Sequence, residues 1–193
     1  MIMSISSAIC NHIVNVVDMS ADDREKMLYS LQNLIGEFSK ILLMFLFFLP
    51  FNLHGYFLRA VLALAIIRMY TGGLHFKTYG GCLMFSLTFF SARILLTKFC
   101  VLPQLGYLLV GLIGLIVIGL ISPITSKSRP NYSIHQRRTF KTMGCLIISL
   151  HLLGCLILKN NPYFISSVWV ILLQAIQLIL AKEVENHEKK VSF

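Results

Sequence analysis

The sequence contains few charged residues and no CxxC motif. Only 13% of its 193 residues are charged, whereas 56% are hydrophobic. Soluble domains are about half apolar or less, so this composition argues against a soluble fold. Four of the five cysteines lie in or beside apolar runs, where a packed and unreactive thiol is usual. A disulfide framework, which belongs to small secreted domains, is not expected.

The N-terminus lacks the features of a secretory signal peptide. Residues 1–20 have neither a basic beginning nor an uninterrupted apolar core. The mean hydropathy of +0.77 and the long apolar runs instead indicate a chain that lies in a lipid bilayer. The net charge of +9 does not require nucleic acid, because lysine and arginine accumulate in short cytoplasmic loops of membrane proteins. Membrane lipid is therefore an expected partner, and nucleic acid is not.

Six apolar stretches predict an all-α, polytopic membrane bundle of about six transmembrane helices. These stretches cover residues 41–51, 55–67, 82–97, 105–122, 143–158 and 163–181. A spanning helix needs about 20 apolar residues, so the first two are short and alternatively form a re-entrant hairpin beside four spans. We expect one membrane-embedded domain over 1–193, with amphipathic helices over 1–40, the bundle over 41–181 and a tail over 182–193.

The first 40 residues have the pattern of amphipathic helices. Apolar residues recur at helical spacing between positions 2 and 17, which fits a helix lying in the membrane interface or one packed on other protein. Ser20 and Asp23 then have the spacing of a capping box, and the following helix is expected to run from Ala21 towards Pro50.

The distribution of basic residues predicts the orientation of the bundle. With six spans and a cytoplasmic N-terminus, thirteen lysines and arginines fall on the cytoplasmic side and four on the other. This asymmetry follows the positive-inside rule. It predicts that both termini and residues 68–82 lie on the cytoplasmic side of a cell membrane, although Arg59 falls awkwardly inside the second span.

Residues 68–82, RMYTGGLHFKTYGGC, interrupt the apolar sequence with groups that can perform thiol chemistry. Cys82 follows two glycines and opens the third span, so it should lie near a helix N-terminus that favours the thiolate. His75 precedes it by seven residues and can accept and return a proton. Arg68 ends the second span, where it either holds a substrate carbonyl or carboxylate or anchors the helix at the lipid headgroups. From residue types alone, inert packing of Cys82 remains an alternative.

This segment resembles the signature of the accessory gene regulator B family, bacterial membrane cysteine peptidases that process the precursor of a quorum-sensing peptide. Arg68, Gly73, His75 and Cys82 match its arginine, its glycine two residues before the histidine, and its cysteine seven residues after it. The family's glutamine in the helix before the first span, with a lysine eight residues later, is matched in LQNLIGEFSK. Chain length, span pattern and a basic segment match as well.

The resemblance implies a two-step thiol reaction without a cofactor or metal. Cys82 would attack a peptide carbonyl of a small amphipathic propeptide, and a cysteine of the retained segment would then close a cyclic thiolactone. In this interpretation His75 is the base, Arg68 and Gly73 support the site, and Gln32 offers its side-chain amide to the developing oxyanion. We also expect a homodimer.

Two further features have competing interpretations. A basic segment either sets topology and attracts anionic lipid or docks the acidic C-terminal tail of the propeptide. Its members are Lys127, Arg129, Arg137, Arg138 and Lys141. His151 lies one turn before Cys155 within a span, and a neutral histidine hydrogen-bonded inside the bundle is favoured over a metal ligand.

A small transporter or channel is the main alternative function. It requires polar residues along a path through the membrane, and the sequence offers a thin set for one. The members are Ser149, His151, Gln174 and Gln177. A non-enzymatic membrane scaffold is the third possibility, but it leaves the pattern at residues 68–82 without a role.

Overall fold

A computed structural model describes residues 2–17, 19–74, 76, 78–124, 132–159 and 161–191, with side chains through residue 186. The regular structure of these residues is helical throughout, which confirms the predicted fold class. The helices are α1 (Ile2–Val14), α2 (Ala21–Phe48), α3 (His54–Thr71), α4 (Tyr79–Phe99), α5 (Gln104–Ile121), α6 (Ile134–Ile157) and α7 (Pro162–Val191). They fall into two compact units, residues 1–52 and 53–193.

The first unit is a pair of helices in which α1 packs against α2. Cys10 is buried and its thiol approaches the backbone oxygen of Arg24, whereas Ile5 and Ile9 remain 42% and 39% exposed. The predicted apolar stripe is thus only partly covered. One edge of α1 therefore packs on protein, and a membrane interface for the exposed side stays a prediction.

Helix α2 begins and extends as the sequence predicts. The hydroxyl of Ser20 accepts a hydrogen bond from the Asp23 N–H at 3.2 Å and donates to the Asp23 carboxylate at 2.7 Å. The helix then continues without interruption to Phe48. The first apolar stretch, short by itself, is thus the C-terminal part of a 28-residue helix.

The second unit is a bundle in which α3 to α7 alternate in direction. At one end, the last turn of α3 contacts α6 and α7: Tyr70 stacks on Phe140, and Thr71 accepts a hydrogen bond from Gln174. At the other end, Arg93 bonds the backbone of Tyr56, and Gln104 donates to the Leu156 carbonyl. We call these the Thr71 end and the Tyr56 end. The Thr71 end contains the last turns of α3 and α5 and the beginnings of α4 and α6.

Five of the described helices are long and apolar enough to cross a membrane: α2, α4, α5, α6 and α7 up to Asn186. Helix α3 is not among them, since Arg59 and Arg68 interrupt its 18 residues. It packs against α4, α6 and α7, so much of its surface faces protein rather than lipid. The described helices are those of a multi-pass membrane protein. The orientation in the membrane stays a prediction.

His151 has the hydrogen-bonded setting inside the bundle that the sequence favours. Its Nδ1 lies 2.8 Å from the Ile147 carbonyl, to which it donates, and its Nε2 lies 3.0 Å from the Tyr163 hydroxyl. Both ring nitrogens therefore have protein partners. No group of three or more histidine, cysteine, aspartate or glutamate side chains suited to a metal occurs in the described part of the chain.

Candidate active site at the Thr71 end

Helix α3 ends in a glycine turn that is paired with the end of α5. Gly72 caps the helix with φ of 75°, a left-handed conformation that side chains disfavour. The Ile124 N–H donates to the Thr71 carbonyl at 3.1 Å, and Gly72 and Ile124 form a single β-bridge. A Cβ at position 72 would lie 2.1 Å from the Ile124 oxygen. Glycine is therefore required here by both conformation and space.

Arg68 binds the loop that follows its own helix. Its Nη2 donates to the Leu74 carbonyl at 2.8 Å. The guanidinium also crosses Gly73 closely, because a Cβ there would lie 2.9 Å from Arg68 Nε and 3.1 Å from Gln177 Nε2. The arginine and the glycine of the signature are thus in contact, and together they fix the backbone that leads into position 75.

Cys82 lies in the first turn of α4, which confirms its predicted place near a helix N-terminus. Thr78 is the N-cap, and its hydroxyl accepts from the Gly81 N–H at 3.2 Å. The Cys82 N–H donates to the Thr78 carbonyl at 3.1 Å, and Cys82 is half-buried.

Residues on both sides of position 75 have fixed contacts. Leu74 is held by Arg68, and Phe76 packs against Phe85 with ring centroids 5.2 Å apart. Phe76 also lies within 3.5 Å of a Cβ built on Gly81, beside Cys82. The imidazole of His75 itself lies outside the described residues, so its distance from the thiol stays a prediction.

Two glutamines of α7 belong to this end of the bundle, which the sequence did not reveal. Gln174 Nε2 donates to the Thr71 hydroxyl at 3.0 Å and to the Gly72 carbonyl at 2.8 Å. Gln177 is 2% exposed, and neither polar atom of its amide has a partner among the described residues. Their spacing of three residues on an apolar helix was the available signal, since buried amides in membrane helices are costly and often functional.

Gln32 and Lys40 lie on α2, in the first unit. Gln32 is half-buried, and Lys40 is 6% exposed and paired with Glu37 at 2.5 Å. Their spacing of eight residues places them about 80° apart around the helix and about 12 Å apart along it. Whether Gln32 serves as the oxyanion donor for Cys82 stays a prediction.

The described part of the basic segment lies at the start of α6. Arg137, Arg138 and Lys141 are all exposed there, whereas Lys127 and Arg129 fall outside the described residues. Ile124, just before the segment, is bonded to the turn at Thr71 and Gly72. The structure therefore brings the loop between Arg68 and Cys82, Ile124 and the beginning of α6 to the same end of the bundle.

Comparison with known proteins agrees with the signature. The model of the accessory gene regulator B family matches residues 6–178. An AgrB-like protein of Clostridium beijerinckii is 28% identical over 134 residues, which cover 68% of this chain and 65% of that protein. The aligned part thus spans just under two thirds of this relative's length. No solved structure matches. Because the family model matches most of the sequence, the chain belongs to the accessory gene regulator B family.

Proposed function

We propose that the chain is a membrane cysteine endopeptidase that cleaves a small precursor peptide and leads to a cyclic thiolactone. Membership of its family associates it with the processing of a quorum-sensing peptide. The observation that carries the proposal is the placement of Cys82 in the first turn of α4, which follows the loop whose Leu74 carbonyl Arg68 binds. The other cysteines of the bundle lack such a setting: Cys155 is buried and Cys100 caps the far end of α4.

The first step forms a thioester. His75 takes the proton of the Cys82 thiol, and the sulfur attacks the peptide carbonyl of the precursor. The tetrahedral oxyanion collapses, the C–N bond breaks, and the proton passes from His75 to the departing amine. The C-terminal segment leaves, and the retained segment stays bound to Cys82 as an acyl thioester.

The second step closes the ring. A cysteine of the retained segment gives its proton to His75 and attacks the thioester carbonyl. The acyl group passes to this sulfur, the Cys82 thiolate leaves, and His75 returns the proton to it. The bond broken and the bond formed are both thioesters, so little energy is lost provided that water is kept out. A site at the membrane surface favours that exclusion, and the paired rings of Phe76 and Phe85 add apolar surface near Gly81, the neighbour of Cys82.

Arg68, Gly73 and the α7 glutamines position the loop in this proposal. Arg68 fixes the backbone before position 75, and Gln174 fixes the turn before that. The Gln177 amide, buried beside Gly73 without a partner among the described residues, is suited to hydrogen-bond the backbone of an extended peptide. Gln32 is proposed to donate to the oxyanion. The active enzyme is proposed to be a homodimer with its site in the cytoplasm.

The basic segment is proposed to bind the acidic tail of the precursor. Arg137 and Arg138 lie near the N-terminus of α6, where the helix dipole is also positive. The dipole does not neutralise these charges, so this end of the helix attracts an anion. The hydrogen bond between Ile124 and Thr71 supports this role, because it holds the residue that precedes the segment against the active-site loop.

Replacing Arg129, Arg137 and Arg138 with glutamine should raise KM and leave kcat nearly unchanged. The contacts that are removed stabilise the bound substrate and the transition state equally. The effect should be partial, since each exposed charge pair contributes about 0–1 kcal/mol. KM should be measured with purified protein in uncharged lipid, which removes attraction to anionic headgroups. Added salt should produce the same rise in the parent protein.

The matched control is Lys159→Gln, which removes an exposed charge at the Tyr56 end of the bundle. This variant should keep the parent KM. Neutralising the acidic residues of the precursor should reproduce the defect of the triple variant, and combining both changes should add little. An unchanged KM in the triple variant would remove the docking role and leave topology as the function of these arginines.

The proposal as a whole is tested by co-expression with a candidate precursor, a short peptide with an amphipathic beginning, an internal cysteine and an acidic end. We expect mass spectrometry to detect a released C-terminal segment, and a retained product lighter by one water than the corresponding linear acid. Reaction with hydroxylamine should open the thiolactone. Intact precursor moved across the membrane without cleavage would instead indicate a transporter.

A further inference from the structure

Three cationic side chains surround Tyr56, at the end of the bundle opposite the candidate active site. Arg93 Nη1 donates to the Tyr56 carbonyl at 2.8 Å. Arg59 lies over the Tyr56 ring at 4.9 Å from its centroid, and Lys98 Nζ lies 5.6 Å from the same centroid. The charge of Arg59 is close enough to act on that of Arg93. The cluster of Arg59, Arg93 and Lys98 therefore concentrates three positive charges around one residue.

The bundle supplies no acid to balance these charges. The sequence has no aspartate or glutamate between Glu37 and Glu183. Glu183 follows Gln174 by nine residues on α7, beyond the Thr71 end, whereas Arg59 lies twelve residues before Thr71 on α3. Twelve helical residues span about 18 Å, so Glu183 cannot reach the cluster. Neither arginine forms a salt bridge within the described part of the chain.

Arg93 is buried with most of its hydrogen-bonding capacity unused. Its side chain is 0% exposed, and its Nε and Nη2 have no partner among the described residues. The Nε of Arg59 is also buried without a hydrogen-bond partner among the described residues. A buried guanidinium without an anion is strongly disfavoured, and inside a membrane it pairs with another group or marks a binding site. The unused N–H groups of two neighbouring guanidiniums match an anion with several oxygen acceptors.

We propose that this cluster binds the phosphate group of an anionic phospholipid. Arg93 is six residues from the end of α4, so it lies about 9 Å from that end, within reach of a headgroup. Strongly exposed apolar side chains flank the cluster and offer a surface for acyl chains: Leu58 is 47% exposed, Leu95 55% and Phe99 81%. A buried and a half-buried guanidinium beside exposed hydrocarbon suit a ligand that carries both a phosphate and fatty chains.

The site is separate from the proposed peptidase chemistry. Arg59 lies twelve residues before Thr71 on α3, so about 18 Å separate the cluster from the glycine turn. Bound lipid would neutralise the cluster where α3 and α4 meet, and so hold together two helices that meet again at the active-site loop. Lipid binding can therefore be measured without any assay of peptide cleavage.

The test uses the full chain, purified in neutral detergent and analysed by native mass spectrometry with phosphatidylglycerol, phosphatidylcholine or inorganic phosphate. We expect a phosphatidylglycerol adduct that survives activation, and roughly tenfold weaker retention of phosphatidylcholine. Arg93→Gln should weaken phosphatidylglycerol retention by a similar factor. Arg59→Gln, at a half-buried position, tests the same site if the first variant fails to fold. Lys159→Gln is the matched control and should retain the lipid as the parent chain does.

Equal retention of phosphatidylglycerol by the parent chain and both arginine variants would overturn the proposal. So would equal retention of phosphatidylcholine, because the cluster would then confer no preference for an anion. Binding of inorganic phosphate without phosphatidylglycerol would reject the lipid and leave a small-anion site. Weakened lipid retention in the two arginine variants, with the control unchanged, supports the assignment.

Discussion

Replacing Cys82 with alanine should abolish precursor cleavage, with a loss on the order of 10⁴-fold or more, because no other group can form the acyl thioester. Cys82→Ser should be almost as inactive, since a hydroxyl is a poorer nucleophile here and its ester would not exchange readily with a thiol. His75→Ala should give a comparable loss by removing the proton acceptor. Cleavage is measured by mass spectrometry of the precursor, after each variant has been shown to insert into membranes.

The other cysteines of the bundle provide matched controls. Cys145 faces Gly119 on α5, and Cys155 is 2% exposed within α6. Cys100 ends α4 at the Tyr56 end. Their alanine variants should keep most activity, because each lies away from the first turn of α4. Normal cleavage by Cys82→Ala would refute the peptidase assignment, whereas loss of activity in all four variants would indicate a general fault of folding.

Local sequence patterns predicted the helices and the position of the nucleophile. Ser20 caps α2 because its hydroxyl can satisfy an N–H of the first turn, and Thr78 caps α4 in the same way, which places Cys82 at the beginning of that helix. The glycines of α5 also allow close helix contacts, since Cβ atoms at Gly111 and Gly114 would lie 2.2 Å from Leu152 and 2.6 Å from Ile171. The helix caps depend on hydrogen bonds between residues a few positions apart in the sequence, and the glycine contacts depend on the small size of the residue.

Long-range contacts could not be predicted in the same way. The hydrogen bond from Gln174 to Gly72 joins residues 102 apart, and the pairing of Gly72 with Ile124 depends on how α3 and α5 end beside each other. The sequence allowed Arg68 to bind a substrate or a headgroup, whereas the structure shows it bonded to Leu74. No periodicity or residue count identifies such partners, because they arise from packing of the whole bundle.

The contact of Gly72 with Ile124 couples the two parts of the proposed site. Arg68 and Gln174 hold one side of this contact, and the chain continues from Ile124 into the basic segment. A precursor bound by its acidic tail would thus be anchored close to the loop that carries the reacting groups. Such anchoring raises the effective concentration of the scissile bond at the thiol. The turn should therefore affect activity even though none of its atoms reacts.

Replacing Gly72 with alanine should strongly reduce cleavage and stability. At φ of 75° and ψ of −156° a side chain costs about 1–3 kcal/mol in backbone strain. The new Cβ would also lie 2.1 Å from the Ile124 oxygen, a backbone atom that can yield only if the pairing breaks. Displacing the loop by about 1 Å should lower kcat/KM roughly 100-fold. The measurements are cleavage rate and the midpoint of thermal unfolding in detergent.

Gly80→Ala is the matched control, because Gly80 belongs to the same loop region and its Cβ would meet nothing within 4 Å. It lies in the first turn of α4, where alanine should raise stability by about 0.4–1 kcal/mol by restricting the unfolded chain. Gly36→Ala tests an equally open site on α2. If Gly72→Ala cleaved and unfolded like these two variants, the pairing with Ile124 would not support the site. A lowered midpoint with unchanged cleavage would separate the turn from catalysis and limit its role to joining α3 and α5.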